Sequence, residues 1–178
     1  MDLATLQQQI AAEGSKLPPL EKWNPTFCGD IDMQIKHDGS WHYMGTPIGR
    51  KPLVRLFSTV LKREDEKYFL VTPVEKVGIV VDDVPFIITQ WQQQDGKLYF
   101  TTQSDDNFMV SAEHPVELHK DKVSGDLLPY ARVRRNLWAR LHQNVFYQLV
   151  ELGTEVTQAD GKYLRLQSAD YAFNLGKL

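Results

Sequence analysis

Arg132, Arg134, Arg135 and Arg140 crowd one stretch of this chain, and no Asp or Glu occurs from Leu127 through Val150. If Leu128 to Val133 is a strand, Tyr130, Arg132 and Arg134 share one face and Ala131 and Val133 take the other. That places an aromatic ring and two guanidinium groups in a row. Arginine grips phosphate with two parallel hydrogen bonds and stacks on planar rings. The pattern fits a small anion better than a nucleic acid, because one stripe without a basic tail tracks few phosphates. The competing reading is a solvated strand whose arginines pair with carboxylates elsewhere in the fold.

A second constellation is Thr46-Pro47-Ile48-Gly49-Arg50, which joins a hairpin bearing Trp41 and Tyr43 to a helix. Backbone N–H groups at a helix N-terminus attract anions, Gly49 permits close approach, and Arg50 closes the site. The plainer reading is a helix start with a surface arginine. A third is Thr72-Pro73-Val74-Glu75-Lys76, between two strands. There Thr72 and Glu75 offer a hydroxyl and a carboxylate to a ribose or a base. A tight loop bonded to itself is the alternative.

Reaction chemistry finds less. Asp30 and Asp32 suit a divalent cation, since hard ions take carboxylate oxygens. No third ligand stands at a diagnostic spacing, so turn and capping roles fit better, and a metal-dependent hydrolase is the weakest reading. His37 and His42 span a turn, and His114 and His119 flank Pro115. Neither pair lies on a helix, so the two-histidine zinc motif is absent. Cys28 is the single cysteine, which excludes an intramolecular disulfide and a thiolate zinc cluster. No glycine-rich phosphate loop of the P-loop or dinucleotide type occurs, so no cofactor and no catalytic residue are assigned.

The elements that must position these residues are mostly short strands. Asp2 caps a first helix with Leu3, Leu6 and Ile10 on one stripe, Gly14 stops it, and Leu17-Pro18-Pro19-Leu20 continues as an extended arm. Asp32 to Lys36 and Trp41 to Met44 form a hairpin about Asp38-Gly39. Leu53, Leu56, Phe57, Val60 and Leu61 recur at helical spacing, with Pro52 in the first turn. Strands follow at Tyr68 to Thr72 and Val77 to Val81, and Asp82-Asp83-Val84-Pro85 marks a boundary. Beyond it run strands at Phe86 to Trp91, Lys97 to Gln103, Phe108 to Ala112, Val116 to His119 and Leu128 to Val133. Asn136 is then expected to cap the clearest helix, with Trp138, Leu141, Val145 and Leu149 as its apolar stripe and Trp138 and Phe146 in the core. Two closing strands cover Lys162 to Leu166 and Tyr171 to Leu175.

The halves rhyme. A strand with Tyr43 leads to a helix carrying Leu56-Phe57, then to Asp65-Glu66-Lys67-Tyr68 and strands. A strand with Tyr130 leads to Val145-Phe146, then to Asp160-Gly161-Lys162-Tyr163 and strands. The fold class is therefore α+β: two related β-rich domains, each with one main helix on a mostly antiparallel sheet. The expected divisions are an N-terminal arm over 1–22, a first domain over 23–84 and a second over 85–178.

Several strings are distinctive: Cys28-Gly29-Asp30-Ile31-Asp32-Met33, Asp38-Gly39-Ser40-Trp41-His42-Tyr43, Gly45-Thr46-Pro47-Ile48-Gly49-Arg50, Leu53-Val54-Arg55-Leu56-Phe57-Ser58 and Tyr68-Phe69-Leu70-Val71-Thr72-Pro73-Val74-Glu75-Lys76. Together they resemble the uncharacterised bacterial DUF1285 family over nearly the whole chain. The resemblance implies a C-terminal domain similar to the pleckstrin-homology fold. It also implies a pocket at the domain interface for a nucleotide-like or nucleic-acid-based ligand, and a role in signal transduction. It brings no established activity.

Composition agrees with these readings. The 178 residues are 42% hydrophobic and 24% charged, ordinary for a chain that buries a core. Twenty basic against 23 acidic residues leave a net charge of −3, which excludes a polycation that coats DNA. The longest apolar runs fall far short of the roughly 20 residues a membrane span needs, and the N-terminus lacks the pattern of a signal peptide. A cytoplasmic binding protein is expected, with a protein–protein adaptor, its partner a signalling protein, as the alternative.

Overall fold

Burial alternates residue by residue through Met33, Gln34 and Ile35, the mark of a strand with one face on a core. That strand sits at the centre of the first of two compact units, which meet between Asp82 and Asp83. The structure, a computed structural model, describes residues 3–13 and 17–178. The expected cap at Asp2 and stop at Gly14 lie outside the described residues.

The first unit holds α1 (Leu3–Glu13), β1 (Phe27–Ile35), β2 (Trp41–Tyr43), β3 (Thr46–Pro47), α2 (Lys51–Ser58), β4 (Leu61–Glu64), β5 (Lys67–Val71) and β6 (Lys76–Val81). Its sheet runs β3-β2-β1-β6-β5-β4. Two antiparallel meanders join there through the parallel pair β1·β6. Arg50 leads into α2 in an extended conformation and Pro52 lies in the first turn, where its missing N–H costs nothing. At the other end the Ser58 and Thr59 hydroxyls donate to the carbonyls of Arg55 and Leu56, both at 2.6 Å, satisfying acceptors that the helix end leaves open. The fully buried Phe57 stacks on the Trp41 indole at 6.3 Å. Leu6 and Ile10 of α1 are buried, as are Met33, Ile35 and Leu70 of the sheet. The first helix is thus a core element of its unit rather than an arm. A single 3-10 turn over Leu20–Lys22 follows the proline pair.

The second unit repeats the strand order. It contains β7 (Phe86–Gln94), β8 (Lys97–Thr102), β9 (Asn107–Met109), β10 (Val116–Lys120), β11 (Leu127–Arg134), β12 (Leu137–Leu141), α3 (Gln143–Val150), β13 (Thr154–Gln158), β14 (Gly161–Ser168) and β15 (Tyr171–Lys177). Its six-stranded sheet runs β10-β11-β12-β7-β8-β9, again two meanders joined through a parallel pair, β12·β7. The duplication expected from the sequence is therefore present, and the molecule is α+β with two similar β-rich domains. The helix-then-meander rhyme is also visible, as α2-β4-β5-β6 and α3-β13-β14-β15. The partners differ: the first meander completes a six-stranded sheet, whereas the second stands as its own three-stranded sheet.

Two elements depart from expectation. Helix α2 ends at Ser58, and Leu61, expected with Val60 on its apolar stripe, opens strand β4. Residues 137–141 are strand β12, not the start of a helix, and α3 begins at Gln143. Leu137, Ala139 and Leu141 are buried while Trp138 and Arg140 are half-buried, a period of two that outweighs the spacing of Trp138, Leu141 and Val145. Arg135, at φ 51°, and Asn136 make the turn from β11. His142 rather than Asn136 caps α3, its Nδ1 accepting the Asn144 N–H at 3.1 Å. Trp138 and Phe146 are only half-buried, so the core of α3 is Val145 and Leu149. Among the described residues no helix is long and apolar enough to cross a membrane.

Candidate functional site

Tyr130, Arg132 and Arg134 all lie on β11, whose pairing with β12 shifts register between Arg132 and Arg134, and each has a partner. Tyr130 is 1% exposed, and its hydroxyl donates to Asp83 Oδ2 at 2.6 Å. Burial first, then the Asp83 carboxylate, push its phenol well above the ordinary tyrosine range. Asp83 also accepts the Lys122 N–H at 3.0 Å. Arg132 donates to the Glu113 carbonyl at 3.0 Å. Arg134 pairs with Asp106 and lies over the Phe86 ring at 5.0 Å. Burial lowers the Arg134 pKa, with Asp106 opposing the shift. Arg140 lies 4.0 Å from the buried Asp121. Arg134 is thus paired with a carboxylate of its own unit, whereas Arg132 is held by a backbone carbonyl.

Thr72 and Glu75 also face inward. Thr72 is fully buried; its hydroxyl accepts the Val74 and Glu75 N–H groups and donates to Gln9 Oε1 at 2.9 Å. Gln9 Nε2 in turn donates to Glu75 Oε2 at 2.8 Å. This loop is a clip that fastens α1 to the sheet. Gln9→Ala is expected to cost about 1–2 kcal/mol, because it removes both the 2.9 Å acceptor of the Thr72 hydroxyl and the donor to Glu75 Oε2. Hydrogen exchange should show the α1 amides losing protection while β5 and β6 keep theirs; unchanged α1 protection would count against the clip.

The segment ahead of α2 is different. Tyr43 and Thr46 stand opposite each other across the two-residue turn Met44-Gly45, whose φ values of 51° and 79° are the left-handed pair that a tight hairpin needs. Tyr43 is half-buried, and Thr46, Gly49 and Arg50 are exposed. A Cβ at Gly49 would meet nothing within 4 Å. Trp41 is 2% exposed and serves the core under α2, although its Nε1 has no partner among the described residues. Among the described residues no acceptor meets the Arg50 side chain.

Lys51 and Arg55, one helical turn apart on the exposed face of α2, extend this basic surface. Spacing motifs do not single them out. The signal lies in charge: no Asp or Glu occurs from Gly39 to Arg63, where five Lys and Arg residues stand. The N-terminal backbone adds little. Pro52 has no N–H, and the Leu53 and Val54 N–H groups are taken by the Arg50 carbonyl, so side-chain charge dominates here.

The remaining candidates are quiet. Asp30 is exposed, and its Oδ1 fills the space that a Cβ on Gly78 would take. Among the described residues neither Asp30 nor Asp32 belongs to a group of three metal-ligating side chains. His42 Nε2 lies 3.0 Å from Ser40 Oγ, His114 Nδ1 3.1 Å from the Arg132 carbonyl and His119 Nε2 3.0 Å from Glu117. The exposed Cys28 thiol donates to the Thr26 carbonyl at 3.2 Å.

Comparison with known proteins covers both units. The model of the N-terminal domain of a domain of unknown function, DUF1285, matches residues 18–84, and that of the C-terminal domain of the same family matches residues 85–175. A DUF1285 family protein from Silicibacter pomeroyi DSS-3 is 42% identical, with a TM-score of 0.84 over 97% of this chain and 95% of that one. A DUF1285 family protein from Shewanella baltica OS155 is 29% identical, with a TM-score of 0.57 over 68% of this chain and 91% of that one. No curated protein matches.

Proposed function

The chain belongs to the DUF1285 family, and from that premise we propose that it is a binding protein for a nucleotide-like anion, held on its first unit by Arg50. The observation that carries this reading is an exposed guanidinium that no acceptor in the described residues occupies, at the start of a helix with no acidic residue in its first turn. Lys51 and Arg55 raise the local positive potential in a chain whose net charge is −3. Tyr43 and Thr46 supply a ring and a hydroxyl on the adjoining hairpin. A phosphate on Arg50 and a base or sugar toward the hairpin make chemical sense of these groups together. The ligand would act as a signal, and sensing rather than catalysis fits the quiet carboxylates and histidines.

The test is a thermal-shift screen of nucleotides, dinucleotides and short oligonucleotides at low and moderate salt. A ligand of the folded state must raise the melting temperature. The expected hit weakens with salt, and weakens about tenfold or more in Arg50→Ala, from loss of a charge-assisted contact. Arg132→Ala should leave it unchanged. Arg134→Ala is a poor probe, because it removes the partner of Asp106. A hit indifferent to Arg50→Ala removes the proposed site. A clean negative across the panel replaces this reading with the protein-partner one, tested by a pull-down with the whole chain.

A further inference from the structure

A free sheet edge offers unpaired N–H and C=O groups to another chain, and folded proteins blunt their edges with short strands, proline, lysine or a covering element. Among the described residues the sheet edges follow this rule with one exception. β3 has two residues and includes Pro47, β4 carries Lys62 and Arg63, and β9 has three residues. β10 and β15 lie against each other, joined where the Tyr171 hydroxyl accepts the Val116 N–H at 3.1 Å. The exception is β13, the outer strand of the three-stranded sheet. It reads Thr154-Glu155-Val156-Thr157-Gln158, rich in β-branched residues, with no proline and no basic residue. Glu155, its one charge, is held by Lys162 of β14 at 3.3 Å. Thr154, Glu155 and Thr157 are exposed, and Val156 is half-buried.

The pairing with β14 fixes where the open backbone groups of β13 point. The two strands run in continuous register, with Glu155 opposite Leu164, Val156 opposite Tyr163 and Thr157 opposite Lys162. The Lys162 carbonyl accepts the Leu178 N–H at 2.8 Å, so the Lys162 backbone turns away from β13. Opposed residues of an antiparallel pair turn their backbone groups inward together or outward together, alternating along the strand. Thr157 and Glu155 therefore point their N–H and C=O groups away from β14. These groups meet no partner among the described residues.

We propose that β13 is a dimer edge, on which a second copy of this chain lays its own β13 antiparallel about a two-fold axis through Val156. In this register Glu155 of each copy faces Thr157 of the other, and all the outward groups of both residues are paired. An axis through Glu155 would set two carboxylates opposite each other. An axis through Thr157 would draw the turn residue Ala159 into the ladder. Val156 meets its own copy in a non-hydrogen-bonded pair, the closer kind, where branched side chains pack together. The strand is thus complementary to itself in charge and in hydrogen bonding, which selects a second copy as its occupant. A two-fold contact closes on itself, so assembly stops at the dimer. The edge lies in the second unit, and the inference does not depend on the Arg50 surface.

Sedimentation equilibrium of the full chain should show a concentration-dependent dimer. Thr157→Pro should weaken it about tenfold or more, because each copy loses an N–H from the shared ladder. The folded chain tolerates that change, since the lost N–H faces outward on an edge strand. Val156→Lys should also weaken the dimer, by setting two ammonium groups at the axis. Circular dichroism spectra matching the parent's show that both variants fold. In a Cys28→Ser background, Val156→Cys should give a disulfide-linked dimer on mild oxidation, because facing Cα atoms about 4.5 Å apart suit the bond. Glu155→Cys, offset from its own copy, should crosslink far more slowly. A monomer at every concentration, a dimer indifferent to Thr157→Pro and Val156→Lys, or crosslinking through Glu155→Cys as fast as through Val156→Cys would each overturn the proposal.

Discussion

Asp83→Ala is expected to destabilise the second unit by about 3 kcal/mol, read from urea unfolding. Asp83 is 4% exposed and accepts from the Tyr130 hydroxyl and the Lys122 N–H. Alanine leaves both donors without an acceptor, and the Tyr130 hydroxyl cannot reach water because the residue is 1% exposed. Asp83→Asn should cost only about 1 kcal/mol: its amide oxygen keeps the Lys122 N–H, and its NH2 group donates to the Tyr130 hydroxyl oxygen in place of the second carboxylate oxygen. It also relieves a like-charge contact, because the Asp121 carboxylate lies within 4.8 Å. If asparagine costs as much as alanine, the reversed bond does not form and Tyr130 needs an acceptor at the second oxygen position.

The same pair has an alkaline signature. The Tyr130 phenol titrates above its ordinary value of 10.0 in the folded chain. Above that pH the unfolded chain releases this proton while the folded chain keeps it. The folded state then binds more protons, so stability falls as pH rises. The contribution is intact below pH 10 and is lost progressively above it. Tyr130→Phe should lower stability at neutral pH and flatten the alkaline decline. A decline of unchanged slope in that variant would assign it to other groups.

Phe57→Ala should cost the first unit about 3–5 kcal/mol, as large-to-small changes in a packed core do. Phe57 has no exposed surface and stacks on Trp41 at 6.3 Å. The change opens a cavity under α2 and removes the ring against which Trp41 is held. Phe57→Leu should cost about 1–1.5 kcal/mol, because it keeps most of the volume. The functional consequence reaches Arg50, which precedes the helix that Phe57 anchors. Any nucleotide-induced thermal shift should shrink in Phe57→Ala and survive in Phe57→Leu. A loss near 1 kcal/mol for alanine would mean that α2 closes over the gap.

Local chemistry determined much of what the chain became. The hairpin about Asp38-Gly39 was legible because glycine there takes φ 84° and Asp38 accepts the Ser40 N–H and hydroxyl. The Asp95-Gly96 turn follows the same rule, with φ values of 52° and 73°. Helix α2 was legible from its apolar spacing and from Pro52, which can stand only in a first turn. Turn chemistry and periodicity act within a few residues, so sequence alone carries them.

Tertiary structure decided what those elements meet. Residues 137–141 fit both a helical stripe and a strand alternation; pairing with β11 and β7 selected the strand. The clip from Gln9 to Thr72 and Glu75 spans more than sixty positions and leaves no local mark. Arg134 reads as an anion ligand until the fold brings Asp106 to it, 28 positions away in sequence. A side chain's type is written in the sequence, but whether its charge is already answered depends on the whole path of the chain. That is why the basic residues were visible from the start, while only the folded chain could separate occupied arginines from open ones.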